Sequence, residues 1–226
     1  MFKALLNALK AKNHLGQALD LTYECLEKAE TLTRAALDDL LDGRKPELDI
    51  YALDREINRG EMQVRRLVFE YQLLNGNADI TPGLIITSTI IDVERIGDYA
   101  KNIYELSERY PHPFVGNEYF DTVREIALEV MGMFPRTAEA FREGDIEIAE
   151  SVMRQHTSFS RRLDSVIDGL VEDPQVSAKD AVMAALGSRY TKRISAHLSN
   201  LASSVVNPFD RIGFRPGTKD PEDADR

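Results

Sequence analysis

Residues Ile91 to Leu106 read IDVERIGDYAKNIYEL, and their spacing decides the fold. Glu94, Asp98 and Asn102 recur at i, i+4 and i+8, which makes one polar stripe on an α-helix, while Ile96, Ala100 and Ile103 supply its apolar side. Two carboxylates at i, i+4 repel each other by about a few tenths of a kcal/mol. The stripe admits two readings. It is a set of oxygen ligands for a hard or borderline cation, or it is a solvated acidic face neutralised by Arg95 and Lys101.

Outward from this stretch the same periodicity continues. Leu15, Leu19, Thr22, Leu26, Ala29, Thr33, Ala36 and Leu40 follow a 3-4 spacing after Asn13, the seam of a bundle helix that Gly43 and Pro46 end. A second helix is expected over Ile50–Leu74, with Asp54 and Asn58 at i, i+4, Glu61 a turn later and an interior Gly60. Thr81-Pro82 opens the third helix as cap and first-turn proline, and Pro111 stops it. After the break PHPFVGNEY, helices follow over about 119–142 with a kink at Pro135, 146–171, and 178–206 with Ser177 as cap. Residues 2–12 put Phe2, Leu5, Leu6 and Leu9 on one face with Lys3, Lys10 and Lys12, a basic amphipathic segment suited to starting the first helix or touching an anionic surface.

Composition agrees with an all-α protein. Of 226 residues 43% are hydrophobic, and few stretches alternate with period two. A net charge of −10 disfavours nucleic acid as the main partner. Cys25 is the only cysteine, which excludes an internal disulfide and a thiolate metal cluster. The longest apolar run, Leu84 to Ile91, contains Thr87, Ser88 and Thr89 and stops at Asp92, far short of the roughly 20 residues a bilayer span needs. The N-terminus lacks a cleavage-site pattern. The expectation is a soluble, cytoplasmic protein.

Six helices split three and three, and the halves align in part. Glu94 to Asn102 set against Lys192 to Asn200 keeps the Arg, the Ile and the final Asn but replaces both acids, by Lys192 and Ala196. Asp54 and Asn58 set against the second half become His156 and Ser160. The expected division is residues 1–112, then a degenerate repeat over 113–206, then an acidic, disordered tail over 207–226.

VERIGDYAKNI resembles the Glu/Asp-x-x-x-Asp motif of the PhoU family, and Asp54 to Asn58 with Glu61 resembles the partner motif on the preceding helix. The resemblance covers about residues 14–206. It implies two tandem three-helix bundles related by a pseudo-twofold repeat, without catalysis. It further implies a metal cluster of Fe, Zn, Mg or Mn held by Asp54, Asn58, Glu94 and Asp98, with Glu61 and Asn102 secondary. The second set, His156, Ser160, Lys192 and Ala196, is not expected to bind metal, since Lys192 puts a cation where the motif has a carboxylate. The implied role is negative regulation of phosphate uptake and phosphate-responsive signalling, as an adaptor on a phosphate transporter, a sensor histidine kinase or both. Homodimerisation and membrane contact through the partner also follow from the resemblance. The alternative is a metal-free helical scaffold of a sodium/phosphate cotransporter or permease.

Enzymatic readings find no support in the residues. The positions three before His14, His112, His156 and His197 are Ala11, Arg109, Met153 and Ile194, so the Glu-x-x-His pair of di-iron bundles is absent. No Gly-x-Ser-x-Gly, phosphate-binding Gly loop or His-Glu-x-x-His occurs either. His156 and His197 read as surface or interface histidines.

Overall fold

Asn13 begins the first helix by accepting hydrogen bonds at Oδ1 from the amides of Leu15 and Gly16, 3.1 and 3.0 Å. The helix, α1, runs His14–Asp42 and ends at Gly43 in the left-handed conformation, φ 69°. All eight residues of its predicted seam are buried. The computed structural model describes residues 13–76, 78–110 and 112–214. The basic segment at 2–12 lies outside the described residues.

Helix α2 spans Ile50–Leu74 and α3 spans Thr81–Arg109. Thr81 is the first residue inside α3 rather than its cap; the cap position is Ile80, and the Asp79 carboxylate, two residues before Thr81, accepts from the Thr81 amide at 2.9 Å. The fourth predicted helix is two, α4 over Glu118–Met131 and α5 over Met133–Glu143. The break falls at Gly132, not at Pro135. Pro135 sits in the first turn of α5, where its missing N–H has no partner to lose, so it starts a helix instead of kinking one. Helices α6, Ile146–Glu172, and α7, Ala178–Val206, complete the chain, with Ser177 Oγ capping the Asp180 amide at 3.0 Å. Among the described residues there is no strand, and no helix is long and apolar enough to cross a membrane.

Helices α1, α2 and α3 pack as one bundle, and α4 to α7 as another. The two meet where α3 lies along α7. One hydrophobic core runs through both, from Leu15 and Ile86 to Phe120, Phe134 and Leu198. Polar contacts lock the junction. Asp92 accepts from His197 Nδ1 at 2.7 Å and from Asn200 Nδ2 at 3.0 Å, Tyr99 stacks on His197, and Arg193 Nε donates to the Tyr99 hydroxyl at 3.1 Å. His197 is thus an interface histidine, only 7% exposed.

The tail departs from expectation at its start. Residues 207–214 fold back on α7 with a 3₁₀ turn over Phe209–Arg211, two hydrogen bonds from Asn207 Nδ2 to the Arg211 and Phe214 carbonyls, and one from the Gly213 amide to Ser203 Oγ. Phe209 and Ile212 pack on the core, which explains the order; the rest of the expected disordered tail, beyond 214, lies outside the described residues.

Candidate functional site: an acidic face shared by α2 and α3

Two glycines set the geometry of this face. A Cβ on Gly97 would come within 3.2 Å of Ile57 Cδ1, so the glycine of the ERIGD core lets α2 seat against α3. A Cβ on Gly60 would overlap Cys25 Sγ at 2.2 Å, so this interior glycine lets α1 close on α2. Its helix-propensity cost of about 1 kcal/mol is the consequence of that approach. With α2 held between its neighbours, Asp54, Asn58 and Glu61 share a region with Glu94 and Asp98 of α3.

Asp54 is 7% exposed. Its two carboxylate oxygens accept from Lys101 Nζ at 3.1 and 3.0 Å, and Asn58 Nδ2 lies 3.5 Å from Oδ2. Lys101 Nζ also donates to Asp98 Oδ1 at 3.1 Å, so one ammonium ties α3 to itself and to α2. Burial alone would lower the Lys101 pKa; the hydrogen bonds and charges of Asp54 and Asp98 outweigh it and hold the ammonium above its ordinary value. Among the described residues Glu94 has no such partner within hydrogen-bond range. Burial first, then the negative charges of Asp98, Glu61 and Asp54, push its carboxyl above the usual range. Arg95 lies 3.6 Å from Glu94 and 4.0 Å from Asp98, and Arg65 pairs with Glu61 at 2.7 Å; both arginines are about half exposed and correspondingly screened.

Asp54, Asn58, Glu61, Glu94 and Asp98 are hard oxygen donors and match in kind what Mg, Mn, Fe or Zn accept. Their arrangement is closed by the protein itself. Among the described residues no three His, Cys, Asp or Glu side chains are disposed to hold a metal ion, and the ammonium of Lys101 stands between Asp54 and Asp98. The donors fit a cation only when Lys101 yields that place. The spacing of Lys101, three residues after Asp98, put it on the neutralising side of the sequence reading; what spacing could not give is its reach across to Asp54 on another helix. Among the described residues no hydrogen bond or ion pair joins Asn102 to this group.

The corresponding face of the second half is organised differently. Lys192 Nζ makes a two-oxygen pair with Asp164 at 2.7 and 2.8 Å, one turn along α6 from Ser160. His156 Nδ1 meets Ser195 Oγ at 2.9 Å, and that hydroxyl donates to the Lys192 carbonyl at 2.8 Å. Ala196 contributes no ligand atom. A cavity of about 370 Å³ opens beside His156, lined by Arg154, Thr157, Ser199, Asn200 and Phe214. Asp164 was missed in sequence because it lies outside the aligned motif; its i+4 relation to Ser160 was the available signal.

Residues 8–107 match the family model described as the PhoU domain. A phosphate-specific transport system accessory protein PhoU homolog of Deinococcus radiodurans is 25% identical over 190 residues, spanning 80% of this chain and 87% of that protein. A homolog of the same description from Pseudomonas aeruginosa is 28% identical over 134 residues, 57% of this chain and 54% of its own length. Two crystal structures share the fold. PhoU from Pseudomonas aeruginosa superimposes with a TM-score of 0.66 at 22% identity, over 91% of this chain and 97% of that one. The phosphate transport system regulatory protein PhoU from Streptococcus pneumoniae gives 0.63 at 16% identity, over 91% and 95%.

Proposed function

The chain belongs to the PhoU family, and from that premise we propose that it is a metal-binding adaptor of a phosphate transport system. It is a regulatory accessory protein and not an enzyme. Its target is a phosphate transporter, with a phosphate sensor kinase as the second candidate, and its place is the cytoplasmic side of the membrane.

The observation that carries the metal reading is the gathering of Asp54, Asn58, Glu61, Glu94 and Asp98 on two facing helices inside the matched domain. Glu94 in particular sits among like charges with no hydrogen-bonding cation of its own among the described residues. Asp54, Asn58, Glu94 and Asp98 would hold the ion, with Glu61 at the margin. A bound cation supplies positive charge that fixes α2 against α3. Asp54, buried beneath the face, anchors the assembly to α2, and Gly97 keeps the helices close enough to share it. The second half offers Lys192 and Asp164 already paired, which opposes a second site.

One observation favours the alternative, a metal-free helical scaffold of a transporter. Lys101 already bridges Asp54 and Asp98, so the face is cross-linked without an ion. Elemental mass spectrometry on protein purified without chelators or a polyhistidine tag, beside a Glu94→Ala/Asp98→Ala variant, separates the two. Near-stoichiometric metal in the wild type and none in the variant supports the adaptor with metal. No metal in either, also after incubation with Mn, Fe and Zn salts, leaves the metal-free scaffold.

A further inference from the structure

Helix α2 turns Asp54, Ile57, Val64 and Val68 inward. Its outer face carries Arg55, Arg59, Met62, Arg66, Phe69 and Leu73, at spacings of 4, 3, 4, 3 and 4 residues, all exposed. Met62 is 60%, Phe69 62% and Leu73 68% exposed. None of the three arginines has an ion-pair partner among the described residues. Of the acids near them on α2, Glu56 pairs with Lys28 at 2.9 Å and Glu61 with Arg65 at 2.7 Å, while Glu70, four residues after Arg66, makes no ion pair with it among the described residues. The result is an unbroken seam of about 27 Å, from 18 residues at 1.5 Å rise, that is basic toward the start of the helix and apolar toward its end. Ile80 and Leu84, at the start of α3, are exposed as well.

We propose that this seam is the docking surface for an acidic, apolar-faced helix of a partner protein. The 3-4 spacing is the one a second helix needs to lay its own side chains between these. A solvated helix face gains nothing from three large apolar side chains in line, and such a line marks an interaction site. The charge fixes the partner's chemistry. In a chain of net charge −10, three arginines along one helix face with no ion-pair partner among the described residues suit carboxylates from outside. A second copy of this chain does not satisfy them. Parallel pairing of two seams sets arginine against arginine, and antiparallel pairing sets Arg55 and Arg59 against Leu73 and Phe69. The surface rests on the accessory reading only for the existence of a partner, and it is independent of metal. It also lies on the helix that supplies Asp54, Asn58 and Glu61, so any change in how α2 meets α3 moves the seam.

The test uses the full chain and a defined probe: a fluorescein-labelled 21-residue helical peptide with leucine at its core positions and glutamate on the flanks, beside the same peptide with lysine flanks. Fluorescence anisotropy at 150 mM KCl should show saturable binding of the glutamate peptide alone. Arg59→Glu/Arg66→Glu and Phe69→Ser/Leu73→Ser should each weaken it at least tenfold, whereas Arg154→Glu, on an exposed face of α6, should not. Thermal melts by circular dichroism check that each variant is folded. Binding that ignores both double substitutions, or no binding, overturns the proposal. So does sedimentation of the protein with phosphatidylglycerol vesicles through these residues while the peptide fails to bind, which would make the seam a membrane surface. A wild-type dimer converted to monomer by Phe69→Ser/Leu73→Ser would overturn it in favour of self-association. Phosphate-transport assays do not enter, so failure here leaves the family role untouched.

Discussion

Lys101→Met tests the internal cross-link directly. The substitution keeps the length of the stem and removes the charge. It takes two hydrogen bonds from Asp54, at 3.1 and 3.0 Å, and one from Asp98, at 3.1 Å. The Asp54 side chain is 10% exposed and that of Lys101 22%, so this pair is close to the buried limit, where removing one partner costs about 3–5 kcal/mol. Partial access of water to Asp98, 33% exposed, brings the expected loss down to about 2–3 kcal/mol. For a chain of this length that lowers Tm by roughly 4–12 °C, at about 2–4 °C per kcal/mol. The cost comes from the Asp54 charge left without a partner, so Asp54→Asn/Lys101→Met should recover most of it, a coupling above about 1 kcal/mol by double-mutant cycle in urea melts. The sign with pH follows from linkage. The folded pKa of Lys101 lies above its unfolded value of about 10.4, so the contribution is fully present below that pH and lost as pH rises through the folded pKa. The wild type and Lys101→Met should therefore differ by a constant margin from pH 6 to 9 and converge above. Lys101→Met within about 0.5 kcal/mol of wild type, or strict additivity with Asp54→Asn, would refute the cross-link.

Other expectations can be checked with single variants. Lys101→Met titrated with Mn²⁺ in differential scanning fluorimetry should regain more Tm than the wild type, because the ion fills a place the wild type already fills; equal shifts would show that Lys101 does not contest the site. Gly60→Ala should destabilise by at least about 2 kcal/mol despite its better helix propensity, since its Cβ would lie 2.2 Å from Cys25 Sγ, and Cys25→Ala should relieve much of the loss in a double variant. Burial pushes the Cys25 thiol up to about 11, so Ellman's reagent at pH 8 should leave it unlabelled in native buffer and label it fully in guanidinium; the raised pKa also means that stability declines as pH climbs from about 8.5 toward 11. Asp92→Ala removes the acceptor of His197 and Asn200 and should cost about 2–3 kcal/mol, with faster hydrogen exchange concentrated in α7.

The helices were legible because local physics and the fold agree along them. The seam from Leu15 to Leu40 needed only 3-4 spacing, and the ends of α2 and α7 fell where Gly, Pro and capping residues place them. The errors were local. Pro135 was read as a kink because a proline inside an apolar run usually is one, whereas Gly132 had already broken the helix and left Pro135 in a first turn. The order of residues 207–214 depends on Phe209 and Ile212 finding the core, a nonlocal gain that composition cannot show. At the site, the acidic residues were legible from i, i+4 spacing. The bridge from Lys101 to Asp54 joins residues 47 apart, and no periodicity on one helix reports a contact across two.

The two halves solve the same electrostatic problem with different surpluses. In each, a lysine from the last helix meets a carboxylate of the helix before it: Lys101 with Asp54, Lys192 with Asp164. In the second half that pairing is one to one, and Ala196 adds no further charge. In the first half Lys101 also serves Asp98, while among the described residues Glu94 and Glu61 pair with Arg95 and Arg65, whose exposure lets water screen them. The first face thus keeps negative charge that a single ammonium leaves uncompensated, and that charge adds to burial, the larger cause, in raising the Glu94 carboxyl. On the proposed metal reading, a divalent ion would bring twice the charge of Lys101 without holding a long side chain in one rotamer, and exchange of one for the other is the transition that reading predicts. Its effect would not stay local. Asp92, two residues before Glu94, clamps α3 to α7 through His197, and α2 carries the basic and apolar seam on its outer side. Charge at the face, the junction between halves and the docking surface are therefore set by two helices, α2 and α3, and a shift of one against the other is felt at all three.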